Sequence, residues 1–481
     1  MQTDSQLPKT QEALDKRLDQ LHDAYLQRLE RLKLESGWSL DSIWGDEHWY
    51  PDDESRWEAA CKEVESYNDK AAQAAADYFE QIRSEWSNYL GNDLPDFDRQ
   101  PLPDAGRAVW KLAGGSNNTD YPGLRYEDVI PDANGQVHNK YGLRIDDLWP
   151  KHADLDQWKT YLRHVVSTSS RIGMLDQIGS DPSKPRWARV PVGETCEFCV
   201  MLASRGFVYL TRETASLGGG FHNGRCDCNV VPSWGERHIA GYDPDALYRQ
   251  YKSCADTISS LTTQDKYKDY LSTLSDKEKA KAPEYKKWKR DLELAEMRWR
   301  DRTWLNTGTP PPVGYNPPEL QRKISDIRPH EIRTAQRLAD NGVKATFKID
   351  VKKVPNENGK GTHDIGYADL ENGIEIKTLK NTSSTNTINS HLKSTSKKPD
   401  AKTVVMDNSE NDGMSDEDLI ACIRRCLAFR GGRVYIIRHD GKLARARYRP
   451  QCHQMVSMRP LSASIITQPR LATEEAERSR L

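Results

Sequence analysis

A carboxylate and an ammonium group lie two residues apart near the C-terminal end of the chain, at Glu375 and Lys377. Side chains two apart on a strand share one face, so we expect these two groups to stand side by side. Asp364, on the strand predicted before the Asn372-Gly373 turn, can meet that face. Two carboxylates can hold a divalent cation that binds a phosphate oxygen and lowers the pKa of a water. The lysine can position that water or stabilise the phosphorane charge, so the pattern indicates metal-dependent phosphodiester cleavage.

Asp369 is the alternative to Asp364 as the second carboxylate. With a tight turn, Leu370 would face Glu375, and Asp364 would lie farther away. Asp364 is nevertheless preferred, because the pattern of residues 362–365 fits and a longer loop would bring it back. An E-x-K pattern on a strand also arises by chance, and such a strand has no catalytic role.

The elements that must position these groups follow a proline-rich segment at 309–318, which cannot continue a helix or a central strand. Beyond it the pattern predicts an α/β domain in the order α-β-β-β-α-β-α-β. Helices are predicted at 329–341, 386–396 and 416–429, and strands at 344–351, 364–370, 374–379, 402–407 and 433–438.

This layout resembles the PD-(D/E)xK nuclease superfamily, both in element order and in Asp364, Glu375 and Lys377. The resemblance implies a restriction-endonuclease-like fold with Asp364 and Glu375 as ligands of a divalent metal, Mg²⁺ or Zn²⁺. It also implies that Glu331, on the first helix, is the acidic residue that these enzymes often place near the metal.

A second resemblance spans residues 325–440, which look like the C-terminal toxin domain of contact-dependent inhibition proteins. The matching segments are Glu331–Ala335, Leu338–Gly342, Ile374–Leu379 and Asn386–Ile388. Those toxins are metal-dependent nucleases that cut tRNA. The resemblance implies that Thr378 helps to position the site, that His391 or Lys393 touches the phosphate backbone, and that an immunity protein is a partner.

A separate group of metal-binding residue types lies in the middle of the chain. Its members are Cys196, Cys199, His222, Cys226 and Cys228. A CxxC pair directs both thiolates to one point, and tetrahedral zinc takes four such ligands. We expect a structural zinc held by the first four residues, with Cys228 as the alternate ligand; a thiol cluster or a redox pair is the other interpretation. Nine cysteines, an odd number, argue against a disulfide framework in a chain of this kind.

The segments around these residues, Val190–Tyr209 and Phe221–Pro232, resemble the MuF-type minor head proteins of tailed phages. The resemblance covers residues 1–240. It implies a role at the portal or head interior, packaging into the virion, and phage portal and capsid proteins as partners. Apolar periodicity predicts long helices at 10–35, 54–90 and 153–180, and a polar helical region at 243–304.

Composition limits the other possibilities. A net charge of −2 excludes a chain that binds nucleic acid through its overall charge. Basic residues are nevertheless concentrated in the last 90 or so positions, where Arg424 and Arg425 are candidates for phosphate contact or, alternatively, part of a solvated face. No apolar run is long enough to span a membrane, and the N-terminus lacks a signal-peptide pattern, so we expect a cytoplasmic chain that enters the virion.

The sequence therefore predicts a multidomain protein with a mainly α N-terminal module, a small zinc-knuckle-like region and an α/β C-terminal domain. The predicted boundaries are 1–240 for the head module, 241–305 for a helical extension, 306–320 for the linker, 321–450 for the nuclease domain and 451–481 for a tail. The predicted function is a phage head-associated toxin that cuts RNA, most simply tRNA, in the target-cell cytoplasm. The alternatives are a structural minor capsid protein with a non-catalytic C-terminal domain, and a DNA endonuclease.

Overall fold

The computed structural model describes residues 10–91, 93–115, 121–211, 228–316, 327–356, 361–429 and 432–447. The chain divides into two compact units. The described residues up to Gly193 and those of Gly206–Tyr242 belong to the first unit, and Glu194–Arg205 and the described residues from Asp243 onward belong to the second. The predicted helical extension therefore lies in the same unit as the α/β part, and this division does not coincide with the proline-rich linker.

Three long helices build the first unit: α1 (Gln11–Gly45), α2 (Asp53–Tyr89) and α5 (Leu155–Ser180). The side chain of Thr10 caps α1, and a capping box at Asp52 starts α2. Apolar residues repeat every three or four positions on each helix and meet in the core between them. The three predicted long helices are confirmed, and α1 extends beyond its predicted end to Gly45.

Short elements complete the first unit. Helices α3 (Ala105–Leu112) and α4 (Tyr126–Val129) and a 3₁₀ turn at Ile145–Leu148 lie between α2 and α5. Strands β1 (Arg186–Val190) and β2 (Asn229–Ser233) pair antiparallel.

A buried polar group links the helices of the first unit to the chain after β2. Nδ1 of His22 lies 3.1 Å from the hydroxyl of Tyr78, and the guanidinium of Arg237 lies 3.4 Å from the same hydroxyl. Arg237 also donates to the carbonyl of Pro232 at 3.1 Å. Burial, with the charge of Arg237 as a second cause, lowers the pKa of His22 to about 3. His22 is therefore neutral in the folded protein at neutral pH.

The second unit begins with helices. Those after Asp243 replace the one long polar helical region that the sequence predicts at 243–304. The helices are α6 (Glu197–Ala203), α7 (Pro244–Thr257), a 3₁₀ turn at Ser259–Leu261, α8 (Gln264–Ser272), α9 (Asp276–Lys279), α10 (Tyr285–Met297) and α11 (Arg302–Thr307). The region is divided because the side chains of Asp243, Thr263 and Asp301 each cap the start of a new helix. At the start of α9 the carboxylate of Glu278 instead accepts from the N–H of Ser275 at 2.9 Å. Within the described part of the chain, no helix is both long enough and apolar enough to cross a membrane.

A four-stranded sheet forms the centre of the second unit, with the strand order β10-β9-β8-β7. Its strands are β7 (Ile374–Thr378), β8 (Thr403–Asp407), β9 (Arg433–Ile437) and β10 (Leu443–Arg447). The first three are parallel, joined through α13 (Thr385–Thr395) and α14 (Asp416–Arg425), and β10 is antiparallel to β9. Strand β10 was not predicted; the other strands of this sheet and their crossover helices were.

Helices cover both faces of this sheet. Ile374 and Ile376 pack with α12 (Pro329–Asp340) on one face. Val404 and Met406 pack with α13 and α14 on the other. Residues 375 and 377 alternate with the two isoleucines along β7, so they belong to the α13 face.

Two small strand pairs lie before β7. Strand β3 (Gly314–Asn316) runs parallel to β4 (Thr346–Lys348), and β5 (Val351–Pro355) pairs antiparallel with β6 (Thr362–Gly366). The prediction of one strand at 344–351 is wrong, because the chain forms β4 and then β5. The prediction of a strand at 364–370 is wrong beyond Gly366, because β6 pairs with β5 and not with β7.

The predicted turn before β7 is confirmed. The N–H of Leu370 donates to the carbonyl of Ile374 at 3.0 Å, and Gly373 adopts a φ of +74°. A Cβ at Gly373 would also lie 2.6 Å from the carbonyl oxygen of Asp400. Both the left-handed backbone and this close approach require glycine here.

A buried ionic network joins α10 to the sheet. The guanidinium of Arg300 lies 3.0 Å from Glu296, and both side chains are 1% exposed. The hydroxyl of Tyr435, on β9, donates to Glu296 at 2.8 Å, and the ring of Tyr435 stacks on Trp299 with centroids 4.4 Å apart. Val313 and Tyr315, from the linker, pack against the same core. The helical extension, the linker strand and the sheet therefore share one hydrophobic core.

Replacing Glu296 with alanine is expected to destabilise the second unit by about 3–5 kcal/mol, because Arg300 is left buried without its counter-charge. The measurement is urea denaturation of the full-length chain followed by circular dichroism. Glu417→Ala, at an exposed position in the first turn of α14, is the matched control and should change stability by less than about 0.5 kcal/mol. Equal effects of the two substitutions would show that the network does not join these elements.

Acidification is expected to destabilise the first unit through His22. Unfolded histidine titrates near 6.5 and folded His22 near 3, so the unfolded chain binds more protons between these values. Stability therefore falls as pH decreases below 6.5, with a slope approaching about 1.4 kcal/mol per pH unit. Denaturation at pH 7 and pH 5 should show a smaller difference for His22→Gln than for wild type or for His152→Gln, which replaces an exposed histidine. The same difference in all three proteins would contradict the assignment.

Candidate functional site

The carboxylate of Glu375 is enclosed in the middle of β7, where its side chain is only 1% exposed. Nζ of Lys377 lies 2.5 Å from Oε1, and Nζ of Lys398 donates to Oε2 at 2.7 Å. Within the described residues, this ion pair is accompanied by no hydrogen bond to Oε1. Strand β7 thus places Glu375 and Lys377 together as the two-residue spacing predicts, and the turn after α13 adds Lys398.

Asp369 supplies a second carboxylate to this cluster. Its Oδ2 accepts a hydrogen bond of 2.8 Å from the backbone N–H of Ile376. Its backbone carbonyl accepts one of 3.3 Å from the backbone N–H of Lys348. Nζ of Lys398 lies 3.6 Å from Oδ1 of Asp369. A single ammonium therefore lies between Asp369 and Glu375, which we call the carboxylate pair.

The carboxylate pair is electrostatically coupled. The pKa of Asp369 is raised to about 6: burial and then the charge of Glu375 raise it, whereas Lys377, Lys398 and the N–H of Ile376 lower it. Such coupling requires the two carboxylates to lie close together in a poorly solvated place. A buried acidic group with a raised pKa beside a second charged group is typical of functional sites.

A supporting ion pair holds the segment that carries Asp369. Asp400 accepts a hydrogen bond of 2.8 Å from the N–H of Ala368 and pairs with the ammonium of Lys348. Burial would raise the pKa of Asp400, but the hydrogen bonds from Lys348 and Ala368 outweigh it, so the pKa lies below its usual range. Sequence reasoning did not identify Asp400 or assign a site role to Lys398. The only available signal was that both directly precede the predicted strand β8.

His391 lies near the same cluster, on α13. Burial and the charge of Lys377 lower its pKa, and Glu375 opposes this change. Its half-buried imidazole is therefore neutral at pH 7. The prediction that His391 or Lys393 touches the phosphate backbone stays a prediction.

The structure does not bring the preferred Asp364 to this cluster. Asp364 is exposed on β6, opposite Lys353 of β5, and among the described residues no hydrogen bond or ion pair joins it to Glu375 or Lys377. The preference for Asp364 over Asp369 is therefore corrected. The physical reason is that β6 ends at Gly366 and pairs away from β7, so the chain returns to β7 only at Asp369.

Glu331 has a local role at the start of α12. Its carboxylate accepts a hydrogen bond of 3.2 Å from the N–H of Arg328 in a capping box. In the described part of the chain no hydrogen bond or ion pair links it to the carboxylate pair. The geometry thus supports Glu331 as a helix cap, not as a group of the site.

Thr378 supports β7 from the opposite face. Its hydroxyl lies 2.9 Å from that of Thr334 on α12, which donates to Asp407 at 2.6 Å. Arg337 pairs with the same aspartate at 2.7 Å. Because Thr378 is one residue from Lys377, it faces away from the carboxylate pair. It fixes the end of β7 against α12 and so positions the strand indirectly.

The predicted basic contacts are dispersed. Lys393 is exposed in the last turn of α13, and Arg425 is exposed on α14. Arg424 donates to the carbonyl of Ala446 at 3.0 Å and to the hydroxyl of Ser260 at 3.1 Å. Arg424 is therefore already engaged in holding α14 in place.

Two of the five Cys/His candidates, His222 and Cys226, lie outside the described residues. Cys196 is the N-cap of α6 and Cys199 is buried within that helix, whereas Cys228 is buried immediately before β2. No group of three or more histidine, cysteine, aspartate or glutamate side chains is placed to hold a metal within the described ranges. The zinc site therefore stays a prediction.

Comparison with known proteins gives one match. Residues 122–254, from α4 through most of α7, match the phage-associated family described as VG15 protein. Neither the comparison with curated proteins nor that with solved structures found a match. The chain is therefore similar over these residues to a phage-associated protein.

Proposed function

We propose that the α/β part of the second unit is a metal-dependent nuclease. The observation that carries this proposal is the enclosed carboxylate of Glu375, which lies beside Asp369 at the edge of the sheet and contacts Lys377 on the same strand face. A buried carboxylate pair is unfavourable unless cations compensate it. Cation-binding carboxylates next to a lysine are the groups that phosphodiester hydrolysis needs.

The carboxylate pair fits Mg²⁺ better than Zn²⁺. Mg²⁺ is commonly held by one or two carboxylates, with water and substrate phosphates completing its coordination. Structural and catalytic zinc sites instead take three or four protein ligands, most often histidine and cysteine. Oε2 of Glu375 and Oδ1 of Asp369 both face the ammonium of Lys398, so each residue provides a carboxylate oxygen to one cation position. The residues present therefore fit an oxygen-ligated divalent cation.

Each side chain then has a defined task. Asp369 and Glu375 would hold the cation, which supplies a polarised phosphate oxygen and a water of lowered pKa. Lys377, whose side chain is 22% exposed, extends from the enclosed part of the site and can neutralise charge that develops on the phosphate. The neutral imidazole of His391 can accept a hydrogen bond or a proton beside Lys377.

The substrate and the setting come from the two kinds of similarity. The likeness to contact-dependent inhibition toxins, over residues 325–440, supports RNA, and tRNA in particular, as the substrate. The match of residues 122–254 supports delivery with a phage particle. We therefore propose a phage-borne toxin whose producing cell needs an immunity protein.

A structural role is the second candidate, and one observation favours it. Lys377 and Lys398 already balance the charges of Asp369 and Glu375, so the cluster is neutral without a metal ion. In that case the ion pairs among Asp369, Glu375, Lys377 and Lys398 only stabilise the turn before β7. The chain would then be a structural phage protein with a non-catalytic C-terminal part.

Purified full-length protein is expected to cut RNA in the presence of Mg²⁺ and to stop when the metal is chelated. Glu375→Gln should reduce the rate by about a hundredfold or more, because it removes one charge of the carboxylate pair and several kcal/mol of transition-state stabilisation. Glu417→Gln, at an exposed site, is the matched control. Gel analysis of total RNA, purified tRNA and plasmid DNA identifies the substrate. Intact RNA and DNA with wild-type protein would favour the structural role.

The two aspartates provide a second test of the site. Asp369→Asn is expected to abolish metal-dependent cleavage, since it removes a carboxylate of the pair. Asp364→Asn, on the exposed strand β6, is expected to retain wild-type activity. Initial rates under identical metal concentrations compare the two variants. The reverse pattern would return Asp364 to the site and remove Asp369 from it.

A further inference from the structure

We propose that Lys398 is a built-in counter-ion that occupies the cation position of the carboxylate pair and must be displaced when a divalent metal binds. This inference rests on the proposed nuclease function, because it assigns a role to a residue that faces the same two carboxylates. It concerns metal affinity, which is measured separately from cleavage.

The position of the Lys398 ammonium carries the inference. Nζ lies 2.7 Å from Oε2 of Glu375 and 3.6 Å from Oδ1 of Asp369. Oxygen ligands bind Mg²⁺ at about 2.0–2.1 Å. A cation shared by these two oxygens therefore needs the space that the ammonium fills.

The role of Lys398 differs from that of Lys377. Lys377 pairs with the other oxygen of Glu375, Oε1, and comes from the same strand. Lys398 comes from the turn after α13, where its N–H donates to the carbonyl of Thr395 at 3.0 Å. Its ammonium lies within 4 Å of an oxygen of each carboxylate. One lysine can therefore leave the pair while the other stays.

Charge balance explains why such a counter-ion is useful. Asp369 and Glu375 carry two negative charges in a site where Glu375 is fully enclosed. Without a metal, two ammonium groups compensate them; a divalent cation brings two charges of its own, so Lys398 becomes superfluous there. The lysine has a flexible four-carbon stem and a side chain that is 20% exposed, so its ammonium can move to solvent. The carboxylate pair thus remains compensated with and without the metal.

The test measures Mn²⁺ binding to the full-length protein by electron paramagnetic resonance of unbound Mn²⁺. Mn²⁺ prefers oxygen ligands, so the cysteine-rich segment competes little for it. The variants are Lys398→Gln, which removes the competing charge, and Lys398→Arg, which keeps it. Lys397→Gln replaces the exposed neighbour and is the matched control. Glu375→Gln identifies the binding that belongs to the carboxylate pair.

Lys398→Gln is expected to bind Mn²⁺ about tenfold more tightly than wild type, the equivalent of one charge-assisted hydrogen bond that no longer has to be broken. Lys397→Gln should bind as wild type does, and Lys398→Arg should bind no more tightly than wild type. Thermal unfolding gives an independent readout for the case of a weakly folded variant: Mn²⁺ should raise the melting temperature of Lys398→Gln more than that of wild type.

The outcomes separate the two proposals. If Glu375→Gln leaves Mn²⁺ binding unchanged, the carboxylate pair is not a metal site and the proposed function fails. If Glu375→Gln abolishes a binding site while Lys398→Gln binds Mn²⁺ as weakly as the Lys397→Gln control, or more weakly, the metal site stands and the role of Lys398 is overturned.

Discussion

The arrangement of the second unit depends on one costly feature, a glutamate enclosed in the middle of a sheet strand. Glu375 lies between Ile374 and Ile376, whose side chains fill the opposite core, so its carboxylate cannot reach bulk water. An enclosed charge persists only if other charges compensate it. Two lysines from different elements do so, and Asp369 is drawn to the strand edge by the N–H of Ile376. The desolvation of Glu375 is therefore unfavourable for stability, and under the proposed function it prepares the position where a metal ion would bind.

Further contacts hold the elements around Glu375 in fixed positions. Asp400 and Lys348 fix the segment before Asp369, and the threonine pair of α12 and β7 fixes the far end of the strand. On the other side of the unit, Glu296 connects α10 to β9 across 139 residues of sequence. The helices that precede the linker therefore belong to the same folded unit as the sheet. This unit is longer than the α/β domain that the sequence pattern predicts.

Sequence reasoning located the parts of the site that depend on local spacing. The position of β7, the shared face of Glu375 and Lys377, and the glycine turn all follow from short-range rules. The choice between Asp364 and Asp369 depends on which strand β6 pairs with, and that is a long-range competition that single-sequence patterns do not encode. Lys398 enters from a turn after a helix, and the Glu296 network joins distant segments, so neither carries a local signature. The predicted zinc site includes His222 and Cys226, which lie outside the described residues, so it stays a prediction.

A crystal structure of the full-length protein with Mn²⁺ tests the central claim most directly, because anomalous scattering locates the ion without any assay. We predict an anomalous peak between the carboxylates of Asp369 and Glu375, with the Lys398 ammonium moved away from both. A structure with no peak at this pair, in which Lys398 still contacts both carboxylates at high Mn²⁺ concentration, would contradict the account and leave the cluster as a structural ion network.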